Sequence, residues 1–373
     1  MENLLNYVEL RKDIDFSLRP FNKVDMLVCA DLSYVDFEGI VKEEEISLEE
    51  ACKSYFSLHS EEEIQSKYAF SMNIPNLMQS LQDSLRFKDI KLKNCKTVYS
   101  DEKVIQFRAI TIVLPDGTLI VSFSGTDGSI TGWKENLMMT YKEDLPCQML
   151  AKEYVKDVIE SIPETTSWFG LKKKKIYPKI YVTGHSKGGN LAMYSYLENT
   201  DINEHVTKVF SFDAPGFMDS FWSRHKELDK IENYIPKGSI IGCVLEHKEK
   251  RYVMDASASG LSQHDTFMWS VNTNDFVYLD KLSGESDAVL EYIDRLLLSR
   301  PIEEKERYCY LIGEMFDRMD IHTISDLSDF SFRQALSGLK EIRQLNTEEI
   351  KFMLEIIKFI AQQSAPILMK GRK

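Results

Sequence analysis

The chain has 373 residues, and its 46 Lys and Arg stand against 59 Asp and Glu, a formal net charge of −13. Hydrophobic residues make up 43% and aromatics 11%, a globular composition that excludes wholesale disorder. The acidic balance excludes a protein built to displace counterions from nucleic acid.

Six scattered cysteines, with no C-x-x-C pair, read as small core residues of a reducing compartment rather than a disulfide framework or metal site. The opening MENLLNYVELRKDIDF has no basic start and is broken by Asn6, Glu9 and Arg11, so it does not read as a signal peptide. No stretch reaches the ~18 apolar residues of a membrane span. A cytoplasmic protein without a transmembrane segment is expected. One basic run, Lys172–Lys175, reads as a solvated loop before a strand or as a peripheral contact with anionic lipid or phosphate.

Taken in order, residues 22–34 place Val24, Leu27, Val28 and Leu32 at helical spacing with Asn22 as N-cap. Residues 41–66 are Glu-rich and expected as exposed helices, and Leu77 to Phe87 is a further helix. The period then changes. Val104–Leu114 and Thr118–Phe123 are apolar and β-branched around Pro115-Asp116-Gly117, which predicts a hairpin. Met149–Ile162 reads as a helix, Lys179–Thr183 as a strand, and Asn190–Glu198 as a helix. Val206–Phe212, Ser239–Leu245 and Tyr252–Met254 read as further strands. Strands alternating with helices predict an α/β fold with a mostly parallel sheet covered on both faces. From Asp287 the pattern is helical to the end, with Asn346 capping Thr347–Gln363. The expected division is a catalytic-type domain over 1–284, N-terminal helices included, and a packed helical extension over 285–373.

The sharpest motif is Gly184-His185-Ser186-Lys187-Gly188, a G-x-S-x-G between a strand and a helix. A serine nucleophile must stand on a strained turn, and residues two before and two after it must be small to pass each other. Gly189 lets the helix approach the sheet. The helix N-terminus aims free amides at the site, which makes the Lys187 N–H a candidate oxyanion donor. The alternative is a Gly-rich turn without chemistry. Phe123-Ser124-Gly125-Thr126 follows the second hairpin strand, and Thr126 is the candidate second donor unless it merely caps a helix. Trp133 opens the helix expected next.

Together these segments resemble the class 3 lipases of the α/β-hydrolase fold. Those show F-R-G-[TS], a Trp-initiated helix and G-H-S-x-G-[GA], here Phe123–Thr126, Trp133–Leu137 and Gly184–Gly189. With Phe21-Asn22-Lys23-Val24-Asp25 and Gln263-His264-Asp265, the chain is more narrowly similar to the Mbeg1-like group. Ser124 replaces the lipases' Arg.

The resemblance implies a serine hydrolase of carboxylic esters needing no metal or cofactor. Its substrate would be a small-molecule or lipid ester. In this fold the order is Ser, acid, His. That order excludes His59, His185 lies in the elbow itself, His205 and His225 read as exposed and His322 falls in the C-terminal helices, so His264 in its Q-H-D is the candidate base, with His247 next. The acid is Asp213 at a strand end, or Glu246, or Asp255, or none. The lipases take theirs from a D-x-V-P segment whose counterpart here carries Ser239. Phe217, Met218, Phe221 and Trp222 either line an acyl pocket or pack as core, and His185 is a further candidate substrate contact. Thioesterase, acyltransferase or peptidase chemistry on the same serine stays open, as does a hydrolase-like binding protein without turnover.

Overall fold

The structure is a computed structural model and describes residues 2–68, 73–166, 173–323, 326 and 345–355. Its central sheet contains β1 (Ile46–Ser47), β2 (Lys91–Ser100), β3 (Ile105–Val113), β4 (Leu119–Phe123), β5 (Ile180–His185), β6 (Lys208–Phe212), β7 (Ile231–Pro236), β8 (Lys250–Met254) and β9 (Tyr278–Leu279). These lie side by side in chain order. The strands β4 to β8 are parallel to their neighbours. Antiparallel pairs extend the sheet through β1, β2 and β3 on one side and β9 on the other.

Among the described residues, these helices surround it: α1 (Leu4–Arg11), α2 (Lys23–Leu32), α3 (Leu48–Leu58), α4 (Glu61–Lys67), α5 (Asn73–Gln82), α6 (Ile130–Met138), α7 (Pro146–Glu160), α8 (Lys187–Glu198), α9 (Asp219–Trp222), α10 (Asp287–Ile293) and α11 (Ile302–Arg318). Period-two alternation assigns the faces. Phe107, Ala109, Val121, Val182 and Val209 pack with Val155 of α7 and Leu191 of α8. Ile110, Ile112, Ile120, Phe210 and Phe212 pack on the other side with Leu27 of α2, Tyr55 of α3 and Leu77 of α5. The crossover helices thus cover one face and the N-terminal helices the other. A third cluster joins Ile130 of α6 to Leu311, Ile312 and Met315 of α11 and to Phe352 and Met353. This is the α/β-hydrolase fold expected from the sequence.

Local chemistry explains the N-terminal motif. Asn22 Oδ1 accepts the Val24 and Asp25 amides at 2.8 and 3.2 Å, and Asp25 Oδ2 accepts the Asn22 N–H at 2.9 Å, a reciprocal cap. Asp25 also pairs with Arg86 (Nε to Oδ1 2.9 Å, Nη2 to Oδ2 2.5 Å), both side chains wholly buried. Tyr7 Oη donates to Asp25 Oδ1 at 2.9 Å, and burial beside that carboxylate pushes the phenol well up. Arg86 spends further donors on the carbonyls of Ile14, Arg19 and Pro20. The motif is a buried brace.

Several elements depart from the sequence reading. Ser239–Leu245 is not a strand: the strand is β7, ending at Pro236, and residues Ile241–Cys243 form a single 3-10 turn. A Cβ on Gly242 would meet Asp213 Oδ1 at 2.4 Å, so this apolar run is wrapped around a carboxylate. The lysine-studded β2 escaped notice because a register shift between Lys93 and Lys96 breaks its alternation. The helix α5 begins at Asn73 and stops at Gln82, before the turn that delivers Arg86. Pro146 at its first turn starts α7 earlier than expected. Ser129 caps α6, so Trp133 sits inside its first turn. The Glu-rich stretch is helical only in α3 and α4, and α3 buries Leu48, Ala51, Cys52 and Tyr55.

Lys173–Lys175 pairs with Glu164–Thr166 in a small hairpin, and Lys172 lies outside the described residues. The final helix is described over 347–355 with Asn346 capping it, and the rest of that expectation lies outside the described residues. All six cysteines are free thiols. No described helix is long and apolar enough to cross a membrane.

Candidate active site

The turn between β5 and α8 holds Ser186 at φ 59°, ψ −130°, a conformation that L residues rarely adopt. Its N–H donates to Phe212 O at 2.8 Å, which fastens the turn to the end of β6. A Cβ on Gly184 would lie 2.3 Å from Gly188 C, and one on Gly188 would lie 2.1 Å from Phe123 O. The two glycines are therefore required for the turn to fit against β4. Such strain persists only where the surroundings over-determine it, and it clusters at functional sites.

Asp213 follows the end of β6, also at positive φ (46°), and is fully buried. Its Oδ2 accepts His264 Nδ1 at 2.6 Å. Its Oδ1 accepts the Ser239 hydroxyl and the Gly242 N–H, the latter at 3.2 Å. The side chain of Ser239 therefore does not stand in for a missing acid. It donates to the Asp213 carboxylate. Three donors therefore converge on this one buried carboxylate.

His264 sits in the loop after β8, and each neighbour in its motif has a separate task. Gln263 Oε1 accepts Gly238 N–H at 2.9 Å, and Gln263 O accepts Trp269 Nε1 at 2.7 Å. Asp265 Oδ1 accepts the Phe267 N–H and caps the next turn. His185 lies under this loop. Its Nε2 donates to the His264 carbonyl at 2.9 Å, and its Nδ1 accepts Tyr34 Oη at 2.9 Å. Burial, with His264 adjacent, drives the His185 imidazole well below its usual range, so it stays neutral. Both ring nitrogens are occupied within the protein, which makes His185 a support for His264 rather than an open substrate contact.

Asn190 of α8 donates to Pro215 O and Gly216 O at 3.2 and 2.9 Å and accepts Gln148 Nε2 at 2.9 Å, fixing the loop after Asp213. Thr126 is half-buried beside the elbow, its hydroxyl accepting Asn136 Nδ2 at 2.8 Å. Lys187 opens α8. Its side chain is buried, with Nζ 2.6 Å from Glu135 Oε2. Ser124, where the lipases have Arg, is buried and bonds the Gly125 carbonyl at 3.1 Å.

The remaining candidates lie elsewhere. His247 Nδ1 pairs with Glu249 Oε1 at 2.7 Å behind Gly216. Asp255 is paired to Lys237 at 2.7 Å and Ser270 at 2.9 Å, and the Glu246 side chain is exposed. His225 is not exposed as expected, because it lies on Phe221 and reaches Glu198 at 3.0 Å. Phe217, Phe221 and Trp222 pack into the helical core, Phe217 stacked 4.1 Å from Phe221 and Trp222 Nε1 bonded to Glu246 O at 2.7 Å. Met218, which precedes α9, is half-buried. The three aromatics are core residues, and Phe217 and Phe221, with Met218, also line a small cavity beside Gln148 and Asn190.

Sequence reasoning missed Ser239 and Gly242 as donors, Tyr34 behind His185, and Gln106 and Glu135 around Lys187. The glycine pair 238 and 242 was the one legible signal, marking backbone that approaches other groups closely.

Solved structures similar to this chain include a lipase from Rhizopus microsporus var. chinensis, at 12% identity over 62% of this chain and 84% of that one, TM-score 0.36. Lipase II from Rhizopus niveus is similar at 13% identity over 64% and 95%, TM-score 0.36. A fungal lipase structure is similar at 10% over 69% and 85%, TM-score 0.41. No curated protein matches the sequence. The family model described as Mbeg1-like matches residues 81–316, more than half of the chain and the whole of the site from Thr126 to His264, and the protein belongs to the Mbeg1-like family.

Proposed function

We propose that the protein is a serine hydrolase of carboxylic esters, with a small-molecule or lipid-type ester as substrate. Ser186 Oγ attacks the carbonyl, and His264 Nε2 takes the proton and returns it to the leaving alcohol. Asp213 holds the imidazole in the tautomer that leaves Nε2 free to accept and stabilises the imidazolium. The Thr126 and Lys187 amides receive the oxyanion, and water releases the acid from the acyl-enzyme. The observation that carries this reading is the 2.6 Å His264–Asp213 bond, made by a carboxylate that follows directly on Phe212, the residue to which the strained Ser186 is tied. The Asp213 carboxylate behind the His264 ring favours turnover over a binding protein without it.

A serine-directed fluorophosphonate is expected to label the wild type and spare Ser186→Ala. Equal labelling of both, or none in folded wild type, refutes the proposal. Product analysis with ester, thioester and amide substrates, with and without an alcohol acceptor, separates esterase from thioesterase, peptidase and acyltransferase.

A further inference from the structure

Lys187 stands directly after the proposed nucleophile, where its side chain has no evident part in the chemistry. That side chain is nevertheless wholly buried. Its three protons go to Gln106 O at 2.6 Å, Gln106 Oε1 at 2.5 Å and Glu135 Oε2 at 2.6 Å. Gln106 lies on β3 and Glu135 on α6, so one ammonium joins the elbow to a strand and to the helix that follows Thr126. The same groups reach the second donor. Gln106 Nε2 bonds Gly125 O at 3.5 Å, and a Cβ on Gly132 of α6 would lie 2.8 Å from Thr126 Cγ2 and 3.1 Å from Gln106 Oε1.

A buried ion pair is a costly way to fill space. Apolar side chains of similar volume usually stabilise at least as well, so the pair argues for a task of geometry. Glu135 Oε1 is buried with no hydrogen-bond partner among the described residues, a further cost that apolar packing would avoid.

We propose that the Lys187–Glu135–Gln106 cluster is the positioning device of the oxyanion hole. It holds the Lys187 amide and the Thr126 loop at the mutual spacing that a developing oxyanion requires. The inference rests on the hydrolase reading above. Lys187 therefore acts twice: its backbone N–H touches the oxyanion, and its side chain sets where that N–H and the Thr126 N–H stand. The ammonium itself transfers no proton.

The test is the full chain carrying Lys187→Met with Glu135→Leu, which removes both charges and keeps the volume. The melting temperature is expected to stay near wild type. On a p-nitrophenyl ester, kcat is expected to fall about 10- to 100-fold, short of or equal to losing one donor outright. KM and the acid limb of the pH profile should be unmoved, and fluorophosphonate labelling should slow in proportion to kcat. A folded double variant with wild-type kcat overturns the proposal and leaves the cluster a packing feature. Should the double variant not fold, Glu135→Gln gives the same reading, with a kcat loss at constant KM expected and unchanged kcat refuting. Wild type that neither hydrolyses nor labels defeats the hydrolase reading and this inference with it, whereas a deficit confined to kcat supports both.

Discussion

Substituting Asp213 by Asn tests the proposed triad through a feature peculiar to this site. The Oδ1 side of Asp213 faces two donors, the Ser239 hydroxyl and the Gly242 N–H. An asparagine must put its carbonyl oxygen there, because its NH2 group cannot accept from either. The NH2 is then turned toward His264 Nδ1, where the carboxylate now lies at 2.6 Å. Two donors cannot face each other, so the imidazole adopts the tautomer with Nδ1 unprotonated and its proton on Nε2. In that state it cannot take the serine proton. The loss expected is about 10⁴ in kcat, or about 5.5 kcal/mol at 1.36 kcal/mol per factor of ten. Steady-state hydrolysis of a p-nitrophenyl ester measures the rate, and 15N chemical shifts of the His264 ring read the tautomer. The structure adds a second arm. Adding Ser239→Ala to the Asp213→Asn variant removes the hydroxyl and weakens the constraint on the amide, so part of the activity should return. A folded Asp213→Asn variant within tenfold of wild type would refute the assignment of the acid and the tautomer argument together.

Other consequences can be measured directly. Arg86→Met leaves the Asp25 carboxylate buried without its cation, and urea unfolding should show a loss of about 3–5 kcal/mol with ester turnover per folded molecule unchanged. Gly188→Ala puts a methyl 2.1 Å from Phe123 O, so the elbow must shift; activity should be lost even where circular dichroism shows a folded chain. Tyr34→Phe removes the donor to His185 Nδ1 and should cost about 1 kcal/mol in unfolding, with a modest drop in kcat through a looser His264 loop. His185 has a folded pKa below its ordinary 6.5, so the unfolded chain binds the proton first as pH falls, and its contribution to stability declines below pH 6.5. Asp31, kept protonated by burial, gives a slope of opposite sign, so the readout is the difference between wild type and His185→Gln. That difference should approach about 1.4 kcal/mol per pH unit below 6.5, and equal slopes would show that His185 is not held neutral.

The sequence made the elbow legible because its requirements are local. A serine at positive φ needs small residues at fixed offsets, and those offsets can be read from five letters. The helix α2 was legible for the same reason, its cap and apolar spacing lying within one stretch. The surroundings of Asp213 were not, because they are assembled from distant segments. An apolar run such as Ser239–Leu245 reads as a strand by period alone, and only the carboxylate it encloses turns it into a loop. Ser239 stands where the lipase pattern has an acid, and a linear comparison, which could offer Asp213 only as one candidate among several, cannot reveal that the Ser239 hydroxyl donates to the Asp213 carboxylate. The aromatics after Gly216 were ambiguous because pocket walls and core faces use the same residues, and the backbone path that folds them inward is set by the contact of Gly216 with Glu246.

The N-terminal helical layer bears on how this protein can change. The family match begins at residue 81, yet α2 and α3 supply one wall of the sheet sandwich, and Tyr34 sits at the end of a relay through His185 to His264. Trimming the chain at that boundary would bare Ile110, Ile112, Ile120, Phe210 and Phe212 to water and leave His185 without its phenol. Substitutions around Tyr34 can reset the loop that carries His264 without altering any group proposed to meet a substrate. The layer is thus a place where activity can be tuned from behind, by mutations that touch neither Ser186, His264 nor Asp213.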